Sequence, residues 1–204
     1  MLQPIPVPEN VLEYVLSREA ARLLDDADVR ITDFTRRQRP AIENFVVCDF
    51  RLVDAALAWI DDADLACGQR FCEWGSGFGV VAMLAGLRGW ESCGIEVEPA
   101  LIDQAHDLAE DHDIDVQFAA GSFIPEGADE LLDFVEDISH IDTDCPSGYD
   151  ELDTDIADFD LFFAFPWPGE HGFWEAVFER YAATNALLLT YHGIESIKLQ
   201  RKVS

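Results

Sequence analysis

The sequence predicts an α/β protein: a doubly wound, mostly parallel sheet, trimmed at its carboxyl-terminal end, with an N-terminal helical lid. Three observations carry the prediction. Strand and helix patterns alternate from Arg70 to Tyr191, which implies right-handed crossovers and a sheet covered on both faces. The first of these strands runs into a glycine-rich loop and then an apolar helix, Gly75-Ser76-Gly77-Phe78-Gly79 followed by Val80–Leu87. The next strand ends in an acid, Glu96, nineteen residues past Gly77.

Each element follows from its spacing. Apolar residues from Val11 to Leu24 recur at helical intervals, so Pro8 to Leu24 reads as a first helix. Leu52, Val53, Ala56, Leu57 and Ile60 share one face of a second, from about Asp49 to Ile60, and the polar run Thr35 to Gln38 with Pro40 separates the two. Strands are expected at Arg70–Trp74, Glu91–Val97, Asp115–Ala120, Phe159–Phe165 and Ala186–Tyr191, with helices at Val80–Leu87, Pro99–Asp111 and His171–Ala183. Only 13 residues remain after Tyr191, which favours five strands, or six at most. The division expected is a helical lid over 1–66 and a ligand-binding domain over 67–204, interrupted by an acidic insertion at 126–158.

Composition narrows the function. Thirteen basic against 41 acidic residues give a net charge of −28, which disfavours nucleic-acid phosphates and anionic membranes as partners. Between Arg88 and Arg180 there is no Lys or Arg at all. The acidic run from Glu126 to Asp160 reads as a solvated segment, dispensable for the fold and mobile without a partner. A calcium loop starting at Asp142-Thr143-Asp144 fails because Pro146 and Ser147 stand where a ligand and a turn glycine belong, so no metal is expected. Five cysteines without a C-x-x-C pair argue against a disulfide framework and fit a reducing cytoplasm. No signal peptide and no membrane-spanning apolar run are seen.

The glycine loop is the most informative segment, because open parallel sheets bind ligands where a strand runs into such a loop. A carboxylate at the position of Glu96 suits the two hydroxyls of a ribose, whereas Glu98 reads as an ordinary surface acid. The dinucleotide pattern G-x-G-x-x-G fails in both registers: Val80 or Met83 stands where the third glycine belongs.

Glu73-x-Gly75-x-Gly77-x-Gly79 followed by Gly94-Ile95-Glu96-x-x-Pro99 resembles motifs I and II of the class I S-adenosylmethionine-dependent methyltransferases, over roughly Asp49 to Tyr191. The resemblance implies a Rossmann-like sheet and S-adenosylmethionine as cofactor. It implies that Glu73 helps place the methionine portion and that the backbone from Gly75 through Ser76 and Gly77 to Gly79 passes beneath the cofactor. Glu96 would hold the ribose hydroxyls, and adenine would sit among Val97, Phe123 and the Gly121-Ser122 turn. Ser122 stands where family members often carry Asp, a weaker acceptor for the adenine amino group. A sulfonium donor without phosphates also suits so acidic a chain.

On the acceptor side, Phe165-Pro166-Trp167-Pro168 is similar in position to the Asp/Asn-Pro-Pro-aromatic motif of amino-group methyltransferases but lacks its polar first residue. Trp167 is a candidate to line the acceptor pocket beside the sulfonium, with a rigid, packed turn as the plainer alternative. His171 is a candidate proton acceptor, set against a plain polar residue at a helix start; His192 has a weaker claim. These readings converge on a cytoplasmic methyltransferase acting on a small molecule or a protein side chain. The rival is a non-catalytic methyltransferase-like module that contacts a basic partner through its acidic segment.

Overall fold

The computed structural model describes residues 1–37, 45–125, 127–128, 131, 145–193 and 196–204. Its strands are β1 (Leu2–Ile5), β2 (Arg70–Trp74), β3 (Glu91–Glu96), β4 (Gln117–Ala120), β5 (Leu161–Ala164), β6 (Leu187–Tyr191) and β7 (Ile197–Lys202). Its helices are α1 (Arg18–Arg37), α2 (Phe50–Asp62), α3 (Val80–Leu87), α4 (Pro99–Asp111), α5 (Gly148–Glu151) and α6 (His171–Tyr181). The strands form one sheet in the order β1-β7-β6-β5-β2-β3-β4. Pairs β2–β3, β3–β4, β2–β5 and β5–β6 are parallel, and β7 runs antiparallel to both its neighbours. Strand order reverses between β2 and β5, so the loops leaving these two strands flank a topological switch point, where open sheets bind ligands.

Each face of the sheet carries its own apolar core. On one face α1–α4 bury Leu23, Leu57, Met83 and Leu108 against Phe71, Phe163 and Leu189. On the other, Trp74, Phe162 and Leu188 pack with Phe173, Phe178 and Tyr149. Central strands buried on both sides read as continuous apolar runs, which is why β5 (LFFA) and β6 (LLLTY) are fully buried.

The two edges depart from the sequence reading. The sheet is not trimmed to five or six strands: Ile197–Lys202 turns back along β6, and Leu2–Ile5, expected within the helical lid, covers it as the edge strand. Pro4 is tolerated there because an edge strand has an unpaired side for the missing N–H. The first long helix begins later than expected. Val11–Glu13 is a short 3-10 turn, and Ser17 Oγ accepts from Ala20 N at 3.0 Å, setting the start of α1. Thr35 lies inside α1 instead of separating two helices, while Gln38 and Pro40 fall outside the described residues. Ala20, Leu23, Leu24 and Ala27 of α1 are buried in the main core, so α1 belongs to the body of the domain.

The acidic run divides in two. Most of 126–144, including Asp142-Thr143-Asp144, lies outside the described residues. From Cys145 to Asp160 the chain is built into the fold, against the expectation of a dispensable and mobile segment. Tyr149 is 4% exposed and its hydroxyl accepts from Trp74 Nε1 at 2.7 Å. Asp160 Oδ2 accepts from Arg70 N at 3.0 Å, and Asp155 with Asp158 closes a capping box at Ile156–Asp158. The acids serve as caps and backbone acceptors here, and Tyr149, Ile156 and Phe159 anchor the segment in the core.

Candidate functional site

The switch point carries the glycine loop. Gly75, Gly77 and Gly79 have φ of +64°, +54° and +68°, the left-handed region that side chains with a Cβ rarely adopt. At Gly79 a second constraint acts, since a Cβ there would overlap the Phe118 ring of β4. Ser76 is 6% exposed and is tucked over β3, where its N–H donates to Ile95 O at 3.0 Å. A Cβ on Gly94 would stand 2.7 Å from Ser76, which explains the glycine in the facing strand.

Two carboxylates organise this loop. Glu73, 5% exposed, accepts from Ala82 N at 2.8 Å and so ties the end of β2 to the first turn of α3. That position suits an anion because the amino-terminal N–H groups of a helix have no partners within it. Burial nevertheless pushes the Glu73 carboxyl well above its usual range, the Glu96 charge adds to this, and the Ala82 and Val81 amides oppose it. Glu96, at the end of β3, accepts from Gly77 N at 2.8 Å through Oε2 and from Glu98 N at 3.0 Å through Oε1. Burial raises its pKa as well, against the pull of the Glu98, Gly77 and Val97 amides. Each oxygen of Glu96 keeps a lone pair for a further donor.

The proposed adenine neighbours are arranged unequally. Val97 is 39% exposed beside Glu96. Ser122 is buried, its Oγ accepting from Ile124 N at 3.2 Å while its backbone pairs with the returning Cys145–Gly148 segment. Phe123 packs against both Trp74 and Trp174, with ring centroids at 5.0 and 4.2 Å, and the two indoles are 6.0 Å from each other, so the three rings form one cluster.

Two aromatic rings that sequence reasoning passed over border the loop. Phe45 reaches the Gly77 side, where a Cβ on that glycine would meet its ring at 3.1 Å. Trp174 of α6 reaches the Gly75 side at 3.9 Å. Trp167 is half-buried at the end of β5, and its carbonyl accepts from Glu170 N at 3.0 Å. His171, at the start of α6, stacks on His192 with centroids 4.3 Å apart, and His192 Nε2 lies 2.8 Å from Thr190 Oγ1. Burial lowers the pKa of both imidazoles, and each also carries unfavourable charge neighbours in Lys198 and, for His192, His171. The Glu170–Trp174 spacing of four residues is the one sequence signal that could have put a carboxylate and an indole on one helix face.

This fold recurs in solved structures. An RNA methyltransferase from Salinibacter ruber, in complex with S-adenosyl-L-homocysteine, aligns over 76% of this chain and 92% of its own, at 16% identity and a TM-score of 0.51. This is the class I methyltransferase fold. A hypothetical protein from Thermus thermophilus aligns over 81% of this chain and 92% of its own, at 15% identity and a TM-score of 0.49. A methyltransferase from Thiobacillus denitrificans, also with S-adenosyl-L-homocysteine, aligns over 79% of this chain and 54% of its own at 18% identity and a TM-score of 0.45. No family model matches the chain, and no curated protein matches it. Within the methyltransferase fold this chain places β7 as the antiparallel strand, and its outer neighbour is supplied by the amino terminus. Among the described residues no helix is long and apolar enough to cross a membrane, and no cluster of metal-ligating side chains is found.

Proposed function

We propose that the chain is an S-adenosylmethionine-dependent methyltransferase of a small molecule or a protein side chain. The observation that carries the reading is the Glu96–Gly77 hydrogen bond of 2.8 Å, which locks the acid of one motif onto the glycine loop of the other at the switch point. The residues present fit the cofactor: an open glycine backbone between Phe45 and Trp174, and a buried carboxylate with lone pairs to spare. When bound, the cofactor supplies an electrophilic methyl group on a sulfonium.

The chain's own residues do the rest. Glu73 holds α3 against β2 and so fixes the height of the loop formed by Gly75, Ser76, Gly77 and Gly79. Glu96 accepts from the ribose hydroxyls, Val97 offers adenine an apolar surface, and Ser122 with Phe123 closes the adenine side. Trp167 lines the acceptor side after β5, and His171, kept neutral by burial, is the candidate to take up the acceptor's proton. Alignment in a dry pocket supplies most of what an in-line displacement requires.

Calorimetric titration of the full chain with S-adenosylmethionine and S-adenosylhomocysteine tests the reading. Saturable binding of both is expected. A folded protein that binds neither would overturn it. Binding of both without turnover on amine, hydroxyl or protein acceptors would leave the non-catalytic module as the better description.

A further inference from the structure

The residue that the proposed chemistry leaves unexplained is Glu170. It is 2% exposed and precedes α6 directly, at the carboxyl edge of the sheet beside the switch point. One carboxylate oxygen, Oε2, accepts from the Trp174 indole Nε1 at 3.4 Å. The other, Oε1, is buried and has no hydrogen-bond partner among the described residues. A carboxylate removed from water with one oxygen unsatisfied is costly to the fold, and such a group calls for an explanation.

Among the described residues no ion pair offsets this charge. No Lys or Arg occurs between Arg88 and Arg180, and Lys198 of β7 is bound to Glu175 at 2.7 Å. The location is equally specific. The same Trp174 ring that donates to Glu170 reaches Gly75 with its far edge, so one indole spans from the glycine loop to this carboxylate. Exposed Pro168 and Gly169 lie immediately before it, and a Cβ at Gly169 would meet nothing within 4 Å, so the turn leading into Glu170 faces solvent.

We propose that Glu170 is the acceptor-binding carboxylate of this protein, and that its free oxygen receives an N–H from a cationic nitrogen, an ammonium or a guanidinium, of the methyl acceptor. The inference rests on the methyltransferase reading and narrows it to nitrogen-bearing acceptors. Trp174 orients the carboxylate by fixing its other oxygen, and is therefore a positioning residue.

The test follows the Trp174 indole Nε1–H resonance in the 15N-labelled full chain, assigned among the five tryptophans by Trp174→Phe. The probes are n-butylammonium, 1-butanol and butanoate, each titrated alone and with S-adenosylhomocysteine present. Butylammonium is expected to shift the resonance saturably, the alcohol and the carboxylate to leave it in place. Glu170→Gln, which keeps the shape and the bond to the indole, is expected to weaken butylammonium at least tenfold while S-adenosylhomocysteine affinity and melting temperature hold. Glu170→Asp, with the charge retained, is expected to fall between the two and serves if the glutamine variant unfolds. Equal response to butanoate, or unchanged butylammonium affinity in Glu170→Gln, overturns the assignment. So does a Glu170→Gln variant that loses S-adenosylmethionine but not its demethylated product, since the carboxylate would then serve the sulfonium. Absence of S-adenosylhomocysteine binding by the wild-type chain, with the ammonium response intact, defeats the methyltransferase reading instead and leaves a cation site.

Discussion

Glu96 Oε2 accepts the backbone N–H of Gly77 at 2.8 Å, across nineteen residues of chain. The acid proposed to bind ribose is thus already held in place and desolvated by the fold, which reduces the ordering that binding must supply. Replacing Glu96 with Ala removes the acceptor for Gly77 N and Glu98 N together. Cofactor binding is expected to weaken by about 1.5–3 kcal/mol for each charged hydrogen bond lost. Calorimetry on folded Glu96→Ala, with Glu98→Ala as the silent control, checks this; wild-type affinity in the former would remove Glu96 from the site.

Gly79→Ala meets two obstacles at once, a φ of +68° and the Phe118 ring. Left-handed backbone costs a residue with a Cβ roughly 1–2 kcal/mol and overpacking about 1–3 more. Urea denaturation is expected to show a loss within the sum of those ranges. Gly79→Ala combined with Phe118→Leu is expected to recover the packing part and keep the backbone part. Full recovery would show that φ is not a constraint there.

The buried Glu73 carboxyl gives the ligand-free protein a specific pH dependence. Its folded pKa lies well above the ordinary value of 4.5, so over that interval the native state binds more protons than the unfolded one. The stability it contributes is therefore complete below about 4.5 and is lost as pH rises through the raised folded value. Glu73→Gln keeps an oxygen to accept from Ala82 N and is expected to flatten this decline. Melting temperatures followed from about pH 5 to about pH 8 measure it, and a parallel decline in variant and wild type would count against Glu73 as its source.

The stacked imidazoles act with the opposite sign. His171 and His192 both have folded pKa values below 6.5, so the unfolded state takes up their protons first. Their contribution is whole above 6.5 and is lost as pH falls through that value toward the lowered ones. His171→Phe retains a ring for stacking and removes one charge, and the His192 pKa read by NMR should move upward. An unmoved His192 would show that burial and Lys198 depress it without help from His171.

Trp167→Ala separates a ligand role from a packing role. A ring against the sulfonium favours the charged donor over its neutral product by about 0.5–2 kcal/mol. Loss of that preference, with the melting temperature held, supports the contact. A lower melting temperature with an unchanged ratio of affinities would make Trp167 structural.

The central sheet was legible because its signals are strong. Val80–Leu87 and Pro99–Asp111 match the expected helices end for end, and Arg70–Trp74 the expected strand. Val80–Leu87 is a continuous apolar run that follows Gly79, and Pro99–Asp111 is an amphipathic one that starts at a proline. The edges were not legible. Ile197–Lys202 carries three basic residues in six and has one deeply buried aliphatic, Leu199, while Leu2–Ile5 contains Pro4. Neither is a strand on local preference; each becomes one through its partner. In the candidate site, Glu96 and the glycines were singled out by spacing, and Glu73 by its place in the motif that resembles the methyltransferases. Glu170 was not singled out because one acid among 41, four residues before a Trp, is a weak local mark, and its burial is decided by tertiary packing.

The pairing of Leu2 with Lys202 has a consequence for the order of assembly. Joining β1 to β7 closes a loop of about 200 residues, for which the length-dependent entropy is about 5 kcal/mol, whereas the β6–β7 turn closes only a few residues at roughly 1.5 kcal/mol. The hairpin therefore precedes the edge strand. During synthesis Leu2–Ile5 emerges long before its partner and waits unpaired until Ile197–Lys202 is made. Docking of that strand marks completion of the sheet, and in amide exchange it should be the first part of the sheet to open.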